Sequence, residues 1–215
     1  SVAEFQDAIT ATAVVLNDAT GESTIEINAT NGAQTIAGTF NAASGGEGTL
    51  LITDDDASAA PDALTFSGQF GGTGGIGDIK VGSSSEGGSA VFTNTNAFVA
   101  TNITVTGGDN AAEDSVAEFQ EDLTATAVVL DDNTGDATIE INATNGVQTI
   151  AGTFDGGAAG EGTMLVTDDD ASAAPDALTF SGAIGGTAGL KAITVGSATE
   201  GGSAIFASAT PVVAT

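Results

Sequence analysis

The sequence predicts an all-β chain built as two tandem homologous antiparallel β-sandwiches, Ig-like or jelly-roll, and three observations carry that expectation. The chain repeats itself once. Its apolar residues alternate with polar ones at the period of a strand. No segment holds an apolar stripe at helical spacing for three turns.

The repeat is visible first in Ser1-Val2-Ala3-Glu4-Phe5-Gln6, which recurs as Ser115-Val116-Ala117-Glu118-Phe119-Gln120. Ser1–Thr101 then aligns without a gap on Ser115–Thr215, with 70 of the 101 pairs identical. A spacing this long exceeds the roughly 20–50 residues of solenoid repeats and points to tandem globular domains. The expected division is residues 1–106 for the first domain, 107–114 for a Gly-Gly-Asp-Asn linker and 115–215 for the second.

Within each copy the elements read as short strands. Ile25, Ile27 and Ala29 alternate with Thr24, Glu26 and Asn28, the period of a half-buried strand. Asn31-Gly32 follows as a hairpin-turn pair, and Gln34–Phe40 then puts Ile36, Gly38 and Phe40 on one face. Ala11–Leu16 is a short apolar run upstream. Thr49–Thr53, Leu64–Ser67, Asp78–Val81 and Ser89–Thr93 complete the set, and the second copy repeats it. Spacing of about ten residues with Gly, Asn and Asp between the runs suggests seven to nine strands per sandwich.

Ala97–Thr106 reads as a long last strand with Val99, Ile103 and Val105 on one face. The second copy matches it only as far as Thr215 and has Pro211 in place of Ala97. That pattern suits an edge, and an edge offers unpaired N–H and C=O groups to a strand from another chain.

Composition narrows the chemistry. Twenty-nine acidic residues stand against two lysines, Lys80 and Lys191, and the net charge is −27. Such a surface argues against nucleic acid and against insertion into an anionic membrane, since both need clustered cations. Hydrophobic residues make up 41% of the chain and charged ones only 14%, so a core can be buried under a dilute acidic surface. The sequence begins at Ser1, which a cleaved leader and a secreted product would explain, as would a chain trimmed at that point. With no His and no Cys, an ordinary catalytic triad or thiol nucleophile has no carriers. A carboxylate pair could serve a glycan hydrolase, but the Trp and Tyr platforms that accompany that chemistry are missing. The expectation is that the chain is not an enzyme.

The most distinctive local motif is Thr53-Asp54-Asp55-Asp56-Ala57-Ser58-Ala59-Ala60-Pro61-Asp62, repeated identically from Thr167 to Asp176. Asp54, Asp55, Asp56 and Asp62, with Asp168, Asp169, Asp170 and Asp176, supply the hard oxygen ligands that Ca²⁺ takes six to eight at a time. A solvated acidic loop held by Pro61 accounts for the same residues. Asn28, Asn102 and Asn142 each head an N-x-T glycosylation triplet. The Gly71–Gly75 stretch lacks the lysine and the strand–loop–helix setting of a phosphate loop.

Gly48-Thr49-Leu50-Leu51-Ile52-Thr53-Asp54-Asp55-Asp56-Ala57, and Gly162 to Ala171, resemble the G-T-L-x-V-T-D-x-D-A stretch of the VCBS and cadherin-like repeats in secreted bacterial adhesins. The resemblance covers about ten residues per copy. It departs from the family's Tyr-containing hairpin, because this chain has no Tyr. It implies a β-sandwich module rigidified by calcium near a domain junction. Together these readings set up three expectations: a self-assembling subunit of a surface filament or layer, possible by strand exchange between copies; a calcium-rigidified adhesin module; and, remotely, a carboxylate-dependent glycan hydrolase.

Overall fold

The computed structural model describes residues 1–18, 22–30, 32–55, 60–72, 74–93, 96–144, 146–169 and 174–215. The first copy contributes β1 (Val2–Phe5), β2 (Thr10–Leu16), β3 (Thr24–Asn28), β4 (Gln34–Ala42), β5 (Glu47–Thr53), β6 (Ala63–Phe66), β7 (Ile76–Val81), β8 (Gly88–Phe92) and β9 (Phe98–Thr106). The second contributes β10 (Ser115–Phe119), β11 (Leu123–Asp131), β12 (Ala137–Asn142), β13 (Gln148–Gly156), β14 (Glu161–Thr167), β15 (Ala177–Phe180), β16 (Leu190–Val195) and β17 (Ser203–Phe206).

Every ladder between these strands is parallel. Odd-numbered strands form one nine-stranded sheet in the order β1-β3-β5-β7-β9-β11-β13-β15-β17, and even-numbered strands form a facing eight-stranded sheet from β2 to β16. Consecutive strands therefore always lie in opposite sheets. The chain winds as a two-sheet β-solenoid, and the expected pair of antiparallel β-sandwich domains is overturned.

The physical reason is instructive. A strand with one buried face alternates apolar and polar residues whichever way its neighbours run, so the period-2 signal carries no information about pairing. Gly32, with φ near +90°, does turn the chain after β3. It sends the chain across to the other sheet instead of back along the same one. β3 and β4 thus meet through side chains, and the backbone of β3 bonds to β1 and β5.

The repeat spacing misleads for a second reason. Coil-to-coil register runs from 22 residues (Val2 to Thr24) to 30 (Ile36 to Phe66), well inside the solenoid range. Successive coils resemble one another only in pattern. The 114-residue duplication spans nine strands, which at two strands per coil is four and a half coils. The visible repeat is therefore a large block within one solenoid, and the notion of two tandem sandwich modules gives way to it. Both sheets run through the boundary between copies: β10 pairs with β8 and β12, and β11 with β9 and β13. Residues 107–114 form an ordered corner, held by Gly107 N–H to Asp131 O and Gly108 N–H to Glu113 O.

Between the sheets lies one continuous core. Its densest part is a stack of phenylalanines one above another along the axis. Phe66 and Phe92 stack at 5.0 Å between centroids, Phe92 and Phe119 at 4.8 Å, and Phe70 and Phe98 lie edge-on beside Phe92. In the second copy Ile184 replaces Phe70 and Val212 replaces Phe98, and Phe154, Phe180 and Phe206 form a separate, sparser row on the nine-stranded sheet. Within β9 the inward residues are Phe98, Ala100, Ile103 and Val105, with Val99 turned outward. The face switch lies beside the point where β11 shifts register against β13, between Thr124 and Ala127.

Candidate functional site

Two places stand out among the described residues: the acidic corners and the outermost strands at each end. The corner 54–62 carries the chain from the nine-stranded to the eight-stranded sheet, whereas the corner 168–176 carries it the opposite way. The two acidic motifs consequently lie on opposite long edges.

At each corner the carboxylates do separate jobs. Asp54 is buried; its backbone N–H donates to Gly87 O and its carboxylate accepts the Asp62 N–H, tying the loop's two ends together. Asp168 repeats this with Gly201 O and the Asp176 N–H. Asp55 is exposed and accepts the Thr30 hydroxyl at 2.7 Å, while Asp169 is exposed at the equivalent point. Asp56 and Asp170 lie outside the described residues. Among the described residues no three carboxylates gather into a group able to hold a metal ion. The motif that suggested calcium thus brings Asp54 to Asp62 and Asp168 to Asp176 through hydrogen bonds.

Two corner residues that sequence reasoning read only as glycosylation triplets turn out to organise the corners. Asn28 is 4% exposed, and its side-chain carbonyl accepts from the Thr30 N–H and hydroxyl and from the Asp55 N–H. Asn142, 3% exposed, does the same for the Thr144 hydroxyl and the Asp169 N–H. Asn102 is the exposed one, donating to Asp78 at 2.8 Å. The signal was present in each triplet's place at a strand end, where Asn bonds its own backbone two residues on.

Parallel stacking also lines up like charges. Glu4 sits beside Glu26, and Glu118 beside Glu140. Burial pushes the Glu140 carboxyl above the ordinary carboxylate range, and Glu118 adds to the shift, although the Thr167 hydroxyl donates to Glu140 and opposes it. A carboxyl with a raised folded pKa stabilises the fold below its ordinary pKa and loses that contribution as pH rises through the raised value. Glu140→Gln keeps the acceptor for Thr167 and removes the charge. It is expected to raise the melting temperature at pH 7 and to shrink the gain on acidification toward pH 4.5, read by thermal scans at both pH values.

Lys191 occupies the place of Gly77 in the first copy and clamps Asp136 at 2.5 Å and Asp132 at 3.5 Å. An exposed pair of this kind contributes at most about 1 kcal/mol.

The open ends differ from the corners in being apolar. At one end β1 and β2 are edge strands that leave Val2, Phe5 and Val15 exposed. At the other, β17 and β16 with the stretch 212–214 leave Ile205, Phe206, Val212 and Val213 exposed. Sequence reasoning anticipated an edge in the second copy but not the exposed apolar side chains on the outermost strands at both ends of the described residues. A scan against family models and searches of curated proteins and of solved structures return no match, so the role of the chain must be read from its own edges and corners.

Proposed function

We propose that this chain is a non-catalytic structural rod, a subunit of a secreted or cell-surface filament or layer that lengthens by adding strands at its ends. The observation that carries the reading is the apolar character of the outermost strands, whose sequences match strands that pair with each other inside the chain. Here the outermost strands combine unpaired backbone groups with exposed Val2, Phe5, Ile205 and Phe206, the pattern that invites strand addition. The absence of His, Cys, Arg, Trp and Tyr from the sequence fits a part that bears load and performs no chemistry.

The charge of −27 sets the condition for assembly. Repulsion between rods is screened over about 8 Å at 0.15 M salt and reaches about 30 Å at 0.01 M. The purified chain is expected to sediment as small species at low salt and as long polymers at physiological salt. In electron micrographs these should be thread-like and one solenoid wide. A single monomeric boundary at every salt and protein concentration would count against the reading.

A further inference from the structure

We infer that a second copy of this chain seats its β1 on β17 in the same register that β10 holds on β8 inside the chain. The inference rests on the structural reading above and names its contact. The two surfaces of the proposed joint already meet once within the molecule. β10 is Ser115-Val116-Ala117-Glu118-Phe119, and Ser1-Val2-Ala3-Glu4-Phe5 is identical to it. β8 is Gly88-Ser89-Ala90-Val91-Phe92, and Gly202-Ser203-Ala204-Ile205-Phe206 differs from it by one methylene at Ile205.

Inside the chain the pairs are Ser115 with Gly88, Val116 with Ser89, Ala117 with Ala90, Glu118 with Val91 and Phe119 with Phe92. Carried to the ends, they become Ser1 with Gly202, Val2 with Ser203, Ala3 with Ala204, Glu4 with Ile205 and Phe5 with Phe206. The inner pair is the one that matters energetically. Phe92 and Phe119 stack at 4.8 Å with their planes 14° apart, whereas Phe5 is 41% and Phe206 36% exposed and each lacks its outer ring partner.

The facing sheet agrees. Within the chain β9 receives β11 with Phe98 against Leu123 and Val99 against Thr124. The equivalents at the ends are Val212 against Ile9 and Val213 against Thr10. Ala214 already bridges Leu190 in parallel, as Ala100 pairs with Ile76, so 212–214 is laid where a new β2 would need it. Both sheets therefore specify the same partner in the same orientation, head to tail.

The joint also fixes an axial repeat. From β1 to the next copy's β1 there are nine steps in the nine-stranded sheet. At about 4.8 Å each, they give about 43 Å.

The sequence contains no cysteine, so a crosslink test is clean. Glu4 and Ile205 face outward in the proposed register, and Cα atoms directly opposite on adjacent strands, about 4.8 Å apart, suit a disulfide. Within one chain these positions lie eight strand steps apart, about 38 Å, so a bridge can form only between chains. The chain carrying Glu4→Cys and Ile205→Cys, oxidised under assembling salt, is expected to give a ladder of linked multimers. It should form about tenfold or more faster than from a control with Val2→Cys and Ile205→Cys, because only in-register thiols are held at high effective concentration. Equal rates, or preference for the control, with filaments still present would overturn the register and leave the structural reading standing. No multimers and no filaments from either variant or from the unmodified chain would overturn both, and would leave these ends to an occupant other than a second copy.

Discussion

Replacing Phe92 by alanine is expected to cost about 3–5 kcal/mol of folding stability, the range for truncating a fully buried phenylalanine. Phe92 is 1% exposed and touches four other rings, those of Phe66, Phe70, Phe98 and Phe119, at 4.8 to 5.2 Å between centroids. The cavity would sit where the two copies join, with β8 on one side and β10 on the other. Stacked coils offer little freedom to collapse into it, because each strand is held by its ladder on both sides. The denaturant midpoint should fall sharply. Phe206→Ala provides the contrast: one ring neighbour, Phe180 at 5.4 Å, and an open outer side. Dilute monomer carrying it should lose less than half as much, while its assembly should suffer more than that of Phe92→Ala at equal folded fraction. A Phe92→Ala chain as stable as the parent would mean that the ring stack is not what binds the coils.

Gly68→Ala is expected to be nearly as damaging, about 3 kcal/mol, through a different mechanism. A Cβ on Gly68 would lie 1.6 Å from the carbonyl oxygen of Gly38, and a Cβ on Gly38 would lie 2.4 Å from that of Ala11. Three successive layers approach backbone to backbone here, so no side chain can swing aside. The crowding recurs in the second copy, where a Cβ on Gly182 would lie 1.7 Å from the carbonyl oxygen of Gly152 and one on Gly152 2.4 Å from that of Ala125. These sites are four and a half coils apart, about 22 Å, and in opposite sheets. Gly68→Ala and Gly182→Ala should therefore add nearly independently. Circular dichroism through a urea titration would show the double variant losing about twice the stability of either single one.

Much of the secondary structure was legible because burial alone writes the period-2 code: Ile25 and Ile27, and Ile36 and Phe40, fall in strands with the inner face as expected, and the Leu64–Ser67 candidate overlaps β6. Strand order was not legible. The information that makes β3 pair with β1 and β5 lies in the length of each corner and in close approaches such as Gly38 under Gly68, and neither leaves a periodic trace. The site was legible in part. The Asp54–Asp62 motif drew notice as a ligand set, and Asp54 instead became a buried tie for its own loop because Asp62 returns its N–H to that carboxylate. Val2, Phe5, Ile205 and Phe206 look in sequence like ordinary inward strand residues. Their exposure follows only from the sheets ending beside them.

The odd number of strands in the duplicated block has a consequence for lateral organisation. An even-stranded block would stack every copy of the acidic corner along one side of the rod, giving a one-sided ribbon. Nine strands place 54–62 and 168–176 on opposite sides, offset along the axis by about 22 Å. The rod is thereby two-sided with respect to its own most charged feature. In an assembly of the proposed kind, contacts made through that feature would be available on both sides of each subunit, the geometry that separates a woven layer from a bundle of decorated threads.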